Sequence, residues 1–298
     1  MIAAVTEKAL DAARAAAPAG VEVRPLADGL GDAEVLVPAW DDALDGIEQA
    51  AALRLVQTLS AGTDWIEDRL PPGATLCNAQ GARDASVAEW VVGALLGATT
   101  GLLVAARERR WSYAPPAELG SCTVVIVGHG SIGRAVAARL EPFGTRVVGV
   151  ASRARDGLHG AEALPELLPQ ADAVVILAPL TAATRGMFDA ALLRRMRDGA
   201  LLVNAGRGAI VDTGALAAEL EAGRLRAVLD VVDPEPLPAE HRLWQARGLL
   251  ALTPHLAGDS ADSERRAIAM AAEQLRRYAA GEPLANVVRA PTAARSRR

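Results

Sequence analysis

Short apolar, mostly β-branched runs alternate along this chain with longer stretches in which alanine and leucine recur at helical spacing. The short runs lie at 1–5, 21–25, 33–37, 53–59, 123–127, 145–150, 173–177, 201–203, 227–229 and 249–252. The helical stretches lie at 7–17, 43–52, 85–106, 190–197, 213–222 and 264–280. Strands that read as continuous apolar runs are buried on both faces, and strands separated by helices pair in parallel. The pattern therefore predicts an α/β protein built on parallel sheets. A length of 298 residues suits two domains, each large enough for its own core.

One stretch carries a specific signal. The buried strand at 123–127 runs into Gly128-His129-Gly130-Ser131-Ile132-Gly133, and good helix formers continue to Leu140. Glycines in G-x-G-x-x-G spacing between strand and helix predict a dinucleotide site. The first glycine permits the turn, the second lets a pyrophosphate approach the backbone, and the third packs helix on strand. The helix N-terminus then offers free N–H groups and partial positive charge to the phosphates. An NAD site wants Asp or Glu at the tip of the next strand, but Ala151-Ser152-Arg153-Ala154-Arg155 stands there. A carboxylate repels a 2′-phosphate, whereas Ser152 and the guanidinium groups of Arg153 and Arg155 attract it. NADP(H) is the expected cofactor, with NAD(H) as the alternative. Pro179 and Thr184, beyond the strand at 173–177, complete the candidate cofactor contacts.

Composition narrows the field further. The chain is 51% hydrophobic and 22% charged, with net charge −5, so no basic excess argues for nucleic acid. No apolar run is long enough to span a bilayer, and the N-terminus lacks the pattern of a signal peptide. The cytoplasm is the expected compartment. Cys77 and Cys122 provide neither a disulfide framework nor metal-ligand spacing, so no metal is expected.

Three later strands end in residues with chemistry. Arg207 follows the strand at 201–203, Glu235 follows that at 227–229, and His255 follows that at 249–252. Open parallel sheets bind ligands at the carboxyl ends of their strands. Hydride transfer to a carbonyl leaves an alkoxide that needs a proton, which a charged histidine supplies and a nearby carboxylate favours. A guanidinium grips a substrate carboxylate by two prongs. Nearer the N-terminus, Ser60-Ala61-Gly62-Thr63-Asp64 ends another strand, and its backbone N–H groups suit a carboxylate.

From about 56 to 258 these motifs, with Val203-Asn204-Ala205-Gly206-Arg207-Gly208, Asp230-Val231-Val232-Asp233-Pro234-Glu235-Pro236 and Thr253-Pro254-His255, resemble the D-isomer-specific 2-hydroxyacid dehydrogenases in order and spacing. The resemblance implies Arg207 as substrate arginine, Glu235 as the acid paired to histidine, and His255 as proton donor. It implies Asp230 near the nicotinamide carboxamide, and Ala61 and Gly62 N–H groups at the substrate carboxylate. Arg207 and His255 count among the substrate contacts too. Ser152-Arg153 looks like the NADPH-preferring glyoxylate and hydroxypyruvate reductase branch. The implied fold is two Rossmann/flavodoxin-like parallel-sheet domains with an active-site cleft between them. One comprises 1–90 with 262–298 and binds substrate; the other, 91–261, binds the dinucleotide. Side chains such as Thr63 and Trp65 are expected to carry specificity. The implied activity is reduction of a small 2-oxo acid by a homodimer, although 107–121 is short for the family's dimer arm and Val232 replaces a common aromatic. A 3-phosphoglycerate dehydrogenase and a nucleotide-sensing corepressor are the alternatives within this fold.

Overall fold

The computed structural model describes residues 1–108, 111 and 115–291. Part of the short arm at 107–121 and residues 292–298 lie outside the described residues. The chain divides into two compact units, Met1–Arg83 with Ser260–Arg298, and Asp84–Asp259.

The first unit holds β1 (Ile2–Val5), α1 (Leu10–Ala16), β2 (Glu22–Pro25), β3 (Val35–Val37), β4 (Leu55–Gln57) and β5 (Thr75–Cys77). The end of the chain adds α8 (Ala261–Ala280) and β12 (Val287–Arg289). The sheet order is β12-β5-β4-β3-β1-β2, parallel except for β12, which runs antiparallel to β5. Alternate residues of each strand enter opposite cores, as a two-residue side-chain period requires. Val35, Leu55 and Cys77 pack with α1 and α8, while Leu36, Val56 and Leu76 pack with Leu44, Ile47 and Ile66. A reciprocal Ser260–Ser263 capping box starts α8, and Gly281, left-handed at φ 68°, ends it.

The pattern misleads at three places in this unit. The helix expected at 43–52 is only a short 3₁₀ turn, Ile47–Gln49, because Gly46 takes a left-handed φ of 75°. Leu44 and Ile47 still reach the core, which is the apolar signal that suggests a helix. Strands β5 and β12 are absent from the pattern; each has three residues, too few for a period to register.

The second unit contains α2 (Asp84–Thr99), α3 (Leu102–Glu108), β6 (Thr123–Val127), α4 (Ser131–Leu140), β7 (Arg146–Val150), α5 (Leu164–Leu167), β8 (Ala173–Ile176), α6 (Ala190–Arg195), β9 (Leu201–Asn204), α7 (Thr213–Glu221), β10 (Arg226–Leu229) and β11 (Leu249–Leu252). Its sheet is parallel throughout, in the order β11-β10-β9-β8-β6-β7. Helices cover both faces. Val124, Ile126, Val175 and Val203 pack with α2 and α4, and Val125, Ile176, Leu202 and Leu229 pack with Phe188, Leu193, Leu216 and Leu220. The chain leaves β6 toward β7 on one side and later fills β8 on the other, so a switch point lies between β6 and β8. In open sheets this is where ligands bind.

The single helix expected at 85–106 is two, α2 and α3, bent by 71°. Gly101 breaks it at φ 78°, just after Thr99 and Thr100 turn their hydroxyls back on the carbonyls of Leu95 and Leu96. Among the described residues no single helix is long and apolar enough to cross a membrane. The unit boundaries also differ from those expected, at Arg83/Asp84 and Asp259/Ser260 instead of 90/91 and 261/262. Val87, Ala88 and Val91 bury against Val124 and Ile126, which binds the start of α2 to the second sheet.

Candidate active site

The three glycines of the turn after β6 have different surroundings. Gly128 sits at φ 100°, and a β-carbon there would collide with the backbone of Leu177 and Ala178. A β-carbon on Gly133 would come 2.5 Å from the Gly128 carbonyl oxygen. Those two are glycine because the protein fills the space. At Gly130 a β-carbon would meet nothing within 4 Å, so the space beside it is open. Gly130 also caps α4 without any side-chain hydrogen bond to the helix end, leaving first-turn N–H groups available to an anion. The turn therefore fits a dinucleotide phosphate. Ser131 gives its hydroxyl to Asp84 at 3.2 Å, and Ile132 packs into the core behind.

His129 lies against β7. Its ring and Leu158 share the space that a side chain on Gly149 would need. Burial depresses the His129 pKa below the ordinary 6.5, with nearby Arg134 adding to the effect. Beyond β7 the chain makes a closed loop in which Val150 pairs in parallel with His159 and Arg155 pairs antiparallel with Leu158. Ala151 N–H donates to the His159 carbonyl at 2.8 Å, His159 N–H to the Gly149 carbonyl at 3.0 Å, and Asp156-Gly157 form the turn with φ of 45° and 79°. Ser152, Arg153 and Arg155 stand exposed on this loop, with no ion-pair partner among the described residues. Thr184, by contrast, spends its hydroxyl locally. It donates to the Pro179 carbonyl at 2.7 Å and accepts from Thr181 N–H at 2.8 Å, shaping the loop after β8.

Arg207, Glu235 and His255 lie beyond the tips of β9, β10 and β11. Buried Asn204 accepts from Gly206 N–H and donates to the Arg207 carbonyl, both at 3.1 Å, which closes the loop that carries half-buried Arg207. Gly208 presses on the Val232 carbonyl so closely that no side chain fits. Val232 itself is core-packed. His255 Nδ1 lies 2.6 Å from Glu235 Oε1, both side chains being partly exposed. This bond leaves Nε2 as the outward ring nitrogen. His255 holds a left-handed φ of 54°, unusual for a side-chain-bearing residue.

Asp230 explains how that loop is held. Its buried carboxylate accepts from Thr253 Oγ1 at 2.6 Å, Leu256 N–H at 2.9 Å and Ala257 N–H at 3.0 Å. Asp230 thus organises the turn around His255. Sequence reasoning missed Asn204 and Thr253 as parts of the site. A buried polar residue at a strand tip, two or three positions before a functional one, was the available signal for Asn204.

In the first unit, the loop after β4 presents Ala61 and Gly62, partly exposed, with no acceptor for either N–H among the described residues. Cys77 and Cys122 are buried and free, and burial pushes the Cys77 thiol up to about 11. Among the described residues no group of His, Cys, Asp or Glu could hold a metal ion.

A doubly wound domain with a glycine turn, an open phosphate cradle and an imidazole–carboxylate pair at its strand tips defines a dinucleotide-dependent protein of the Rossmann class. Residues 94–257 match the family model for the D-isomer specific 2-hydroxyacid dehydrogenase NAD binding domain, and the chain belongs to that family. It is 32% identical over 262 residues to the chloroplastic/mitochondrial formate dehydrogenase of Arabidopsis thaliana, covering 82% of this chain and 68% of that one. It is 33% identical over 276 residues to the glyoxylate reductase of Korarchaeum cryptofilum, covering 86% and 83%. The crystal structure of a D-isomer specific 2-hydroxyacid dehydrogenase from Xanthobacter autotrophicus Py2, in complex with NADPH and MES, superposes with TM-score 0.84 at 31% identity, over 97% of each chain.

Proposed function

We propose that this chain is an NADPH-preferring reductase of small 2-oxo acids, glyoxylate or hydroxypyruvate in type. The observation that carries the reading is the 2.6 Å bond between His255 Nδ1 and Glu235 Oε1 at the strand tips of a dinucleotide domain. A bound nicotinamide supplies the hydride. The chain's own residues do the rest. His255 delivers the proton from Nε2 to the nascent alkoxide, so that hydride and proton together turn carbonyl into hydroxyl. Glu235 accepts the Nδ1 hydrogen and fixes ring orientation and tautomer. Arg207 grips the carboxylate and polarises the carbonyl, and the Ala61 and Gly62 N–H groups provide further donors. Exposed Ser152 and Arg153, without a carboxylate beside them, favour a 2′-phosphate. NADPH in the Xanthobacter neighbour and the glyoxylate reductase among the relatives agree with this reading.

The likeness to formate dehydrogenase raises the question of formate. Formate gives up a hydride and leaves as carbon dioxide, with no alkoxide to protonate. A histidine held by a carboxylate is the device that carbonyl reduction needs, so the His255–Glu235 pair favours the 2-oxo acid. The test is a spectrophotometric panel of 2-oxo acids against NADPH and NADH, with formate and NAD⁺ as the contrasting arm. NADPH oxidation is expected with glyoxylate or hydroxypyruvate. His255→Asn should lower kcat by about 10²–10⁴, and Arg153→Ala should weaken NADPH far more than NADH. Turnover of formate alone, or of nothing, overturns the assignment.

A further inference from the structure

The loop after β4 is clamped by its carbonyl groups. Ser60 carbonyl accepts from Thr58 Oγ1 at 2.9 Å and from Ala79 N–H at 3.0 Å. Ala61 carbonyl accepts from Asn78 Nδ2 at 2.7 Å. Gly62 carbonyl accepts from Ser60 Oγ at 2.7 Å and from Trp65 Nε1 at 3.1 Å. The peptide unit is planar and trans, so fixing one residue's C=O fixes the next residue's N–H on the opposite side. Three consecutive planes are fixed in this way. Their N–H groups, on Ala61, Gly62 and Thr63, have no acceptor among the described residues. Asn78 is itself oriented, since its Oδ1 accepts from Gln80 N–H at 3.1 Å, which turns Nδ2 toward Ala61.

We propose that Asn78 and Trp65 are positioning residues for the substrate's carboxylate, Asn78 aiming the Gly62 N–H and Trp65 the Thr63 N–H by holding the carbonyl on the other side of each peptide plane. This rests on the functional reading above, in which the loop takes that carboxylate. It gives Trp65 a different part from the expected specificity contact. The indole N–H turns inward to its own loop, and the donor it contributes is a backbone one. Preorganised donors cost no rearrangement when the anion arrives. Loss of a clamp therefore weakens substrate binding before it slows chemistry.

The test uses Trp65→Phe, which keeps a ring and deletes the N–H, Trp65→His, which restores a ring N–H, and Asn78→Asp, which sets an acceptor against the Ala61 carbonyl. The readouts are KM and kcat for glyoxylate, inhibition by oxamate, and the Kd of NADPH, on the full chain. Trp65→Phe and Asn78→Asp should raise KM and the oxamate Ki together by about tenfold, the scale of one hydrogen bond to a charged group. They should leave kcat within about threefold and the NADPH Kd unmoved, as lost ground-state binding requires. Trp65→His should recover a substantial part of the loss. Unmoved KM and Ki in Trp65→Phe, a parallel loss of NADPH affinity, or no recovery by histidine overturns the positioning role. In each of those cases, turnover of 2-oxo acids by the unaltered chain leaves the functional reading standing; absence of such turnover overturns both.

Discussion

Replacing Gly130 by alanine should leave the fold intact and weaken the cofactor. Gly130 has φ −81° and ψ −150°, a region open to any residue, and an added β-carbon finds no protein atom within 4 Å. Reduced freedom of the unfolded chain favours alanine by about 0.4–1 kcal/mol. Alanine is a poorer helix cap than glycine by a similar amount, about 0.5–1 kcal/mol. The two effects nearly cancel, so Tm without cofactor should move by no more than about 2–4 °C. Gly128→Ala provides the contrast. Its left-handed φ costs about 1–2 kcal/mol, and the collision with Leu177 and Ala178 backbone about 1–3 kcal/mol more, so its Tm should fall by roughly 5–15 °C.

The assay is thermal melting with and without NADPH, joined to a fluorescence titration. At a hundredfold excess over Kd, NADPH should stabilise the unaltered chain by about 2.7 kcal/mol. A methyl group thrust at a phosphate should raise Kd about tenfold or more, on the scale of overpacking. The same NADPH concentration would then stabilise Gly130→Ala by about 1.4 kcal/mol or less, halving the shift. A full NADPH shift in Gly130→Ala would show that the open space beside this glycine is not where the phosphates lie.

Two further outcomes follow from buried groups. Asp230→Asn places an amide N–H₂ among three donors and removes at least one charge-assisted hydrogen bond, a loss of about 1.5–3 kcal/mol; Tm and kcat should both fall while the NADPH Kd holds, whereas a Kd that rises first would put Asp230 at the cofactor. His129 gives a pH dependence. Burial holds its folded pKa below 6.5, so the unfolded chain takes the proton first, and stability present above that value is lost as pH falls through it. His129→Gln, which has no such proton to take up, should lose less Tm than the unaltered chain between pH 8 and pH 5; identical pH profiles would refute the placement against β7.

The parts of the fold legible in the sequence were those where a long run and a special residue agree. Thr123–Val127 with three spaced glycines marked β6 and α4, and Leu249–Leu252 marked β11 to the residue. The failures share one cause. Gly46 and Gly101 each adopt a left-handed φ inside a pattern that otherwise reads as helix, and periodicity does not reveal which glycine will do so. Thr75–Cys77 is too short, and follows too closely on Pro71-Pro72-Gly73, to announce a strand. Arg207, Glu235 and His255 stood out as candidates because residue type at a strand end is visible in the sequence. Asn78, Trp65, Asn204 and Asp230 act through partners in folded loops, and Asp230 meets Thr253, 23 positions further along, only once the chain between them is folded away. Such pairings leave no periodic trace.

The polar residues of these strand tips have a common logic. Asn78 ties the Ala61 carbonyl, Asn204 ties both ends of the Arg207 turn, and Asp230 collects two N–H groups and a hydroxyl from the turn around His255. A buried or partly buried polar group left unpaired is costly, so each of these side chains selects one loop conformation over its alternatives. Each tie thereby fixes backbone beside a candidate group: the peptide plane that carries the Gly62 N–H, the turn that carries Arg207, and the turn that carries His255. Loop rigidity and the placement of the backbone that carries these groups therefore come from the same hydrogen bonds. That coupling predicts that removing a tie, even one that never touches substrate, costs the site more than it costs the sheet, since the β-strand cores on either side do not depend on it.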